Sequence, residues 1–314
     1  MLMPFFLLRW KMKKIAIDLG GTNIRCAVLN EQYEIECLEK ERTVHTGSLE
    51  DNIKQIVKLI QNCPCIKDEK TTIGIGVPGV VNEEGILKYI SNIPELEGIN
   101  LTSVLKQKIK VPVTVVNDAN AAAIAEAKIG AGRNFKSVYY ITVSTGIGGG
   151  FVLNGDIVKG ASGYAGEAGS ILIRKENKDS FGSKLFPGSI ECYASGNAIT
   201  RRGSSVTGKS LKDAGEVFKA AKNGELWGIA LVDQMAYDLA MMCADISYIV
   251  NPQIFVFGGG CMTIDNPFFD KMCKNYYEIV DEGLHNIIFK RAALSEAGII
   301  GAAICAEGEM KNGN

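Results

Sequence analysis

The chain has 314 residues, with 34 basic and 35 acidic side chains and a formal charge of −1. That balance offers no long-range field to nucleic acid or an anionic membrane and suits a small, weakly charged substrate, while the length suits two domains. Nine cysteines without a regular framework, and no secretory signal, read as reduced thiols in a cytoplasm. Cys63-Pro64-Cys65 is the only tight pair and reads as two free thiols, since a metal site needs further ligands at suitable spacing.

The apolar stretch Met3 to Leu8 is too short to span a membrane, and no small-residue cleavage site follows it. Residues 1–12 are therefore expected to be a disordered extension, with translation starting at Met12; an amphipathic anchor is the lesser reading. Ile15 to Thr22 is an apolar strand running into a glycine turn, and Ile24 to Leu29 resumes as a strand, so the two predict a hairpin. Ser48 to Asn62 carries apolar residues at helical spacing, with Ser48 as N-cap. Ile73 to Val77 is a buried strand ended by Pro78-Gly79, Val113 to Val116 is another closed by Asn117-Asp118, and Ala119 to Ile129 is an alanine-rich helix.

A second strand–glycine–strand unit runs from Val138 to Leu153, followed by the two-residue hairpin turn Asn154-Gly155. After an irregular stretch to about Gly188, Glu191 to Arg201 and Leu226 to Val250 read as helices. Ile254 to Phe257 is a buried strand breaking into Gly258-Gly259-Gly260, and Ala297 to Met310 is an apolar closing helix. Strands alternate with helices while the glycine hairpin recurs, which predicts an α/β protein made of a duplicated domain enclosing a cleft.

Three glycine clusters carry the chemistry. In Asp18-Leu19-Gly20-Gly21-Thr22 the glycines are expected to turn with positive φ and expose N–H groups to phosphate oxygens, while Asp18 could hold Mg²⁺ through water. The other reading is an ordinary hairpin turn. Ser144 to Gly150 is not the dinucleotide fingerprint, because Phe151-Val152-Leu153 continues as a strand where that motif needs a helix, and no GxxxxGK[ST] loop exists. Two glycine hairpins, each with a threonine, could clamp a phosphate chain. Gly258 to Gly260, after a buried strand, would admit an adenine or ribose close to the backbone. Asp118, at a strand end and a helix start, is either an N-cap or an oriented base for a phosphoryl-acceptor hydroxyl.

These residues resemble the ROK sugar kinases (repressors, open reading frames, kinases) from Lys13 to about Glu307. The resemblance rests on Asp18 to Thr22, Val77-Pro78-Gly79, Asn117 to Ala123, Thr145 to Gly149, Gly166-Glu167, Gly258 to Gly260 and the closing Ala297 to Ala303. It implies the two-domain actin-like, ribonuclease H-like ATPase fold with an interdomain cleft, a homodimer, and transfer of the γ-phosphoryl group of ATP with Mg²⁺ to a sugar hydroxyl. The domains are expected as 13–117 with 297–314, and 118–296. It further implies Asp118 as general base, Gly79, Asn92, Asn117, Glu167, Ser170 and Glu191 at the sugar, and Asp18, Gly20, Gly21, Thr22, Asn23, Thr145, Gly146, Gly258, Gly259 and Gly260 at ATP.

One departure bears on substrate. Many family members hold a structural zinc with a histidine and three cysteines; here those positions carry Ser170, Gly182, Lys184 and Ser189, so no zinc is expected. Ser144 also replaces the glycine usual at the start of the second phosphate turn. In zinc-bearing relatives the histidine at the Ser170 position lies near the sugar's anomeric end, and a serine there would leave room for an axial group on the second carbon. The expected substrate is thus N-acetylmannosamine, phosphorylated on its 6-hydroxyl, with glucokinase as the alternative. A sugar-responsive repressor of the same family would need a helix-turn-helix ahead of Asp18, for which too few residues precede, and a kinase-dead sugar-binding protein is opposed by Asp18, Thr22, Asn117, Asp118 and Thr145.

Overall fold

The structure is a computed structural model that describes residues 13–68, 70–90, 92–175, 185–262 and 268–312. The extension and its Met12 start, with Gly182 and Lys184 of the zinc comparison, lie outside the described residues. In chain order the strands are β1 Lys14–Leu19, β2 Asn23–Leu29, β3 Ile35–Arg42, β4 Thr72–Val77, β5 Val80–Val81, β6 Leu87–Lys88, β7 Val113–Asn117, β8 Ser137–Val143, β9 Ile147–Leu153, β10 Asp156–Ile157, β11 Ile254–Gly258 and β12 Ile288–Arg291. The helices are α1 Leu49–Asn62, α2 Leu101–Lys106, α3 Asp118–Lys128, α4 Glu191–Ala194, α5 Gly196–Thr207, α6 Ala214–Lys222, α7 Leu226–Val250, α8 Phe268–Ile279 and α9 Ala297–Asn312.

The chain divides into two compact units, one ending at Ala121 and resuming at Gly298, the other spanning Ala122–Ala297. The division falls within α3 and at the start of α9. Each unit is built on a five-stranded sheet, ordered β3-β2-β1-β4-β7 in the first and β10-β9-β8-β11-β12 in the second. In both, the first three strands pair antiparallel and the last two join in parallel. The recurring glycine hairpin is thus the visible part of a repeated sheet, with β1–β2 and β8–β9 at equivalent places.

In the first unit Ile15, Ile17, Ile73 and Ile75 are buried with Ile53, Ile56, Leu59 and Ile60 of α1. Ser48 caps α1 as expected, its hydroxyl accepting from the Asp51 N–H. The closing helix α9 fits because two glycines yield to carbonyls: a Cβ on Gly74 would overlap the carbonyl of Ala302, and one on Gly301 that of Ala121. Lys14, 2 % exposed, pairs with Glu307 of α9 at 3.4 Å, and the Tyr33 hydroxyl donates to the same carboxylate at 2.6 Å. A buried ammonium is tolerable only with such partners.

In the second unit the fully buried β11 brings Phe255 and Phe257 into a core with Tyr139, Leu239, Met242 and Tyr276. Phe255 stacks on Phe289 of β12 at 5.1 Å between ring centroids. The expected helix from Glu191 to Arg201 is two helices. Ser195 is extended, at φ −75° and ψ 164°, and its hydroxyl accepts from the Ala198 N–H to cap α5. A serine prefers that capping bond to a place in a helix interior. Strand β3, β12 and helices α6 and α8 carry no signal used in the sequence reading; β3 is mostly exposed, so it lacks an apolar run.

Candidate active site

The first unit's site begins where β1 ends. Asp18 lies opposite Arg25 in the β1–β2 register, and Arg25 donates twice to its Oδ2, from Nε at 3.0 Å and from a terminal nitrogen. The pairing leaves Oδ1 without a hydrogen bond from the described residues. This donor set fits Mg²⁺ held through water: a carboxylate already neutralised by a guanidinium can accept from the ion's water shell, which Mg²⁺ readily keeps.

The turn itself corrects one expectation. Neither Gly20 nor Gly21 has positive φ. Both are required by close approach instead: a Cβ on Gly20 would lie 2.9 Å from the Asn23 carbonyl oxygen, and one on Gly21 2.5 Å from Cβ of Asn92. The turn's carbonyls are taken from the side of β3, with Thr43 Oγ1 donating to Gly20 O at 2.6 Å and His45 Nε2 to Gly21 O at 2.5 Å. Thr43 N–H also donates to Thr22 O at 3.1 Å. With its carbonyls so occupied, the Gly20 N–H given to Asn23 O at 2.9 Å and Thr22 exposed, the turn has the N–H groups of Gly21 and Thr22 and a hydroxyl to offer an anion. The bracing by Thr43 and His45 was not foreseen; Arg25 could have been, from the hairpin register alone.

Gly79 does need glycine for its conformation, at φ +86°, with the Lys88 carbonyl oxygen 2.7 Å from where a Cβ would sit. Asn117 Nδ2 donates to Gly79 O at 2.7 Å, and Asn117 Oδ1 accepts from the Asn120 N–H at 2.8 Å. Asn117 is therefore the cap of α3, and Asp118 begins the helix without that duty. The Asp118 carboxylate is exposed, accepting from the adjacent Ala119 N–H at 2.7 Å. Although solvent reaches it, surrounding protein displaces bulk water from much of its hydration shell. That desolvation, with the negative charge of Asp18 adding to it, raises its pKa from 3.8 to about 6. An accessible carboxylate with that pKa is suited to accept a proton near neutral pH.

In the second unit the β8–β9 turn carries Thr145, exposed, and Gly146. Ser144 N–H donates to Gly146 O at 2.9 Å, so serine in place of glycine is accommodated with a closed turn. Glu191 Oε2 accepts from the Ile147 N–H at 2.8 Å, and burial pushes the carboxyl's pKa upward against the effect of that bond. Glu167 is half-buried and precedes the single helical turn Ala168–Ser170, with the Ser170 N–H donating to Glu167 O at 3.2 Å and the Ser170 side chain exposed. Gly149 and Gly169 let this loop settle on β9, since a Cβ on Gly149 would meet Gly166 O at 2.5 Å and one on Gly169 would overlap Ile147 O. The loop carrying Glu167 and Ser170 thus meets Glu191 near the start of β9, where a Cβ on Gly169 would lie 3.5 Å from Glu191 Oε2.

The third cluster divides. Gly258 is buried, and its missing side chain makes room for Tyr140; Gly259, at φ +93°, makes room for the Val143 carbonyl. Only Gly260 has open space around it, its nearest neighbour being Ser144 Oγ at 3.7 Å. Packing alone accounts for the first two glycines. Among the described residues no group of three or more His, Cys, Asp or Glu is placed to hold a metal ion, and buried Ser189 instead pairs its hydroxyl with Cys192 Sγ at 3.3 Å. Cys63 and Cys65 are both buried, and Cys63 Sγ lies 3.6 Å from Cys26 Sγ, a neighbour the sequence spacing did not reveal. No helix among the described residues is long and apolar enough to cross a membrane.

Two α/β units built on sheets of the same order, each opening on a glycine hairpin, have the two-domain actin-like ATPase fold, the fold class of the ROK sugar kinases. The chain belongs to the ROK family, whose sequence model matches residues 14–309. The glucokinase of Thermotoga maritima is 29 % identical over 93 % of this chain and 96 % of its own length. The N-acetylmannosamine kinase of Vibrio vulnificus strain YJ016 is 31 % identical over 79 % of this chain and 83 % of its own. Among solved structures, the ROK hexokinase of Thermus thermophilus superposes with a TM-score of 0.84 at 30 % identity, covering 96 % of this chain and all of that one. The protein is an ATP-dependent sugar kinase acting on a hexose or hexosamine.

Proposed function

We propose that this kinase transfers the γ-phosphoryl group of ATP to the 6-hydroxyl of N-acetylmannosamine, with Asp118 as general base. The observation that carries the role of Asp118 is its position: exposed at the head of α3, relieved of capping by Asn117, with a pKa near 6. As the sugar oxygen forms its bond to the γ-phosphorus, its proton passes to Asp118, and the bond from phosphorus to the bridging oxygen breaks to release ADP. Little covalent chemistry is asked of the protein beyond holding that proton and orienting the two reactants.

Asn92, Gly79, Asn117, Glu167, Ser170 and Glu191 are assigned to the sugar, where amides and carboxylates match hydroxyls in fixed geometry. Asn117 retains one of its two Nδ2 protons for that purpose. Asp18, Gly20, Gly21, Thr22, Asn23, Thr145, Gly146 and, of the third glycine cluster, Gly260 are assigned to ATP. Mg²⁺, held through water at Asp18, neutralises phosphate charge when bound.

The choice of N-acetylmannosamine rests on Ser170, exposed and small where the family resemblance places a histidine. A short side chain there suits an axial acetamido group. The rival, glucose, is favoured by the wider coverage of the Thermotoga maritima glucokinase, 93 % of this chain against 79 % for the N-acetylmannosamine kinase. A panel of sugars with ATP, read by ADP release, distinguishes them. The expected kcat/KM favours N-acetylmannosamine over glucose by at least about tenfold, or roughly 1.4 kcal/mol of transition-state binding. A preference for glucose defeats this substrate assignment and leaves the kinase in place.

A further inference from the structure

Residues 191–197 enclose the second phosphate turn on more than one side. Glu191 Oε2 accepts from the Ile147 N–H at 2.8 Å, and a Cβ on Gly146 would come within 2.5 Å of the same oxygen. At the other end of this short segment, Gly196 N–H donates to Ser144 O at 2.8 Å and Asn197 N–H to Thr145 O at 3.2 Å. The carbonyls of Ser144 and Thr145 are thereby occupied, and with Ser144 N–H bonded to Gly146 O, no described group takes the N–H of Thr145 or Gly146. Those are the donors left for a phosphate oxygen. Their orientation is set by a brace that includes one carboxylate oxygen of Glu191.

A carboxylate has two oxygens, and Oε1 accepts no hydrogen bond from the turn. We propose that Glu191 is a positioning residue that couples the two substrates: Oε2 braces the ATP-binding turn while Oε1 accepts a sugar hydroxyl, so a bound sugar tightens ATP through this side chain. The proposal rests on the assignment of Glu191 to the sugar given above. A ligand that fixes the carboxylate also fixes the turn, so the next ligand meets donors already oriented. The coupling is reciprocal, and ATP tightens the sugar by the same factor.

Calorimetry on the full chain tests it, using a non-hydrolysable ATP analogue with Mg²⁺, alone and with saturating N-acetylmannosamine or glucose. In the wild type, the sugar that is turned over should tighten the analogue at least about fivefold. Glu191→Ala should weaken the analogue without sugar by at least about fivefold and abolish the effect of sugar. Glu191→Gln keeps a carbonyl oxygen for the Ile147 N–H, so its analogue affinity without sugar should stay within about twofold of wild type while sugar affinity falls. If circular dichroism shows that the alanine variant does not fold, Glu191→Asp, too short to reach Ile147, should show the same loss of analogue affinity. Wild-type analogue affinity in the alanine or aspartate variant, or no effect of sugar in the wild type, overturns the coupling. The arm without sugar is independent of the substrate assignment: a wild type that turns over no sugar defeats the proposed function, while a weakened analogue in Glu191→Ala still upholds the brace.

Discussion

The side-chain oxygen of Asn117 accepts the backbone N–H of Asn120 at 2.8 Å, and this one bond decides how the neighbouring Asp118 is read. A carboxylate opening a helix is ordinarily explained as its cap. Here the cap is already supplied, so the exposed acid at the next position serves no such end, and the protein around it, by displacing part of its hydration, raises its pKa to about 6 with the charge of Asp18 adding to the effect.

Replacing Asp118 with Asn should therefore cost catalysis and spare the fold. The expected loss in kcat is about 10²–10⁴, the range for a removed general base, with a smaller change in sugar affinity. Initial rates, sugar calorimetry and a thermal melt check this together. Turnover near the wild-type level would place the base elsewhere.

The pH dependence follows from the same group. Below its pKa Asp118 holds a proton and cannot accept another, so kcat/KM should fall roughly tenfold per unit below about pH 6 and level off above it. Because the charge of Asp18 is the second cause of the raised pKa, Asp18→Asn should move this limb toward more acidic pH as well as lowering the rate. Profiles measured with both substrates well below saturation show the shift; an unmoved limb in Asp18→Asn would mean that another group titrates.

The serines at 170 and 189, with Gly182 and Lys184, supply none of the zinc ligands of related kinases. Elemental analysis of the purified protein should find no stoichiometric zinc, and Mg²⁺ alone should support activity. About one tightly held zinc per chain, with unfolding on its removal, is the contrary result.

Gly74 and Gly301 admit backbone carbonyls so closely that no Cβ fits without movement. Gly74→Ala and Gly301→Ala should each destabilise the first unit by about 1–3 kcal/mol through overpacking. Gly308→Ala, on the same helix α9 with open space around it, should be neutral or mildly stabilising. Urea unfolding of the three variants makes the comparison.

The architecture was largely legible because its strongest signals are local. Apolar runs ending in glycine turns, at Ile15 to Thr22 and again at Val138 to Leu153, mark two hairpins whatever surrounds them, and the structure shows them at matching places in two sheets with the same order. Residue type also marked the strand ends from which the candidate site is built, since glycines, amides and carboxylates there interrupt the apolar runs. Elements without such punctuation escaped: β3 presents mostly exposed residues, and the break at Ser195 depends on a capping bond that competes with helix.

What the sequence could not supply was the reason for each residue. The glycines at 20 and 21 look chosen for positive φ, yet it is Asn92, distant in the chain, whose approach forbids a side chain at Gly21. Gly258 and Gly259 look shaped for a nucleotide, yet Tyr140 and Val143 fill the space they leave. His45 against Gly21, Cys26 against Cys63 and Glu191 against Ile147 are likewise meetings of residues far apart in sequence. Periodicity and turn chemistry act over a few residues and can be read from the chain itself, whereas steric exclusion and hydrogen-bond partnership arise only when folding brings separate segments to the same place.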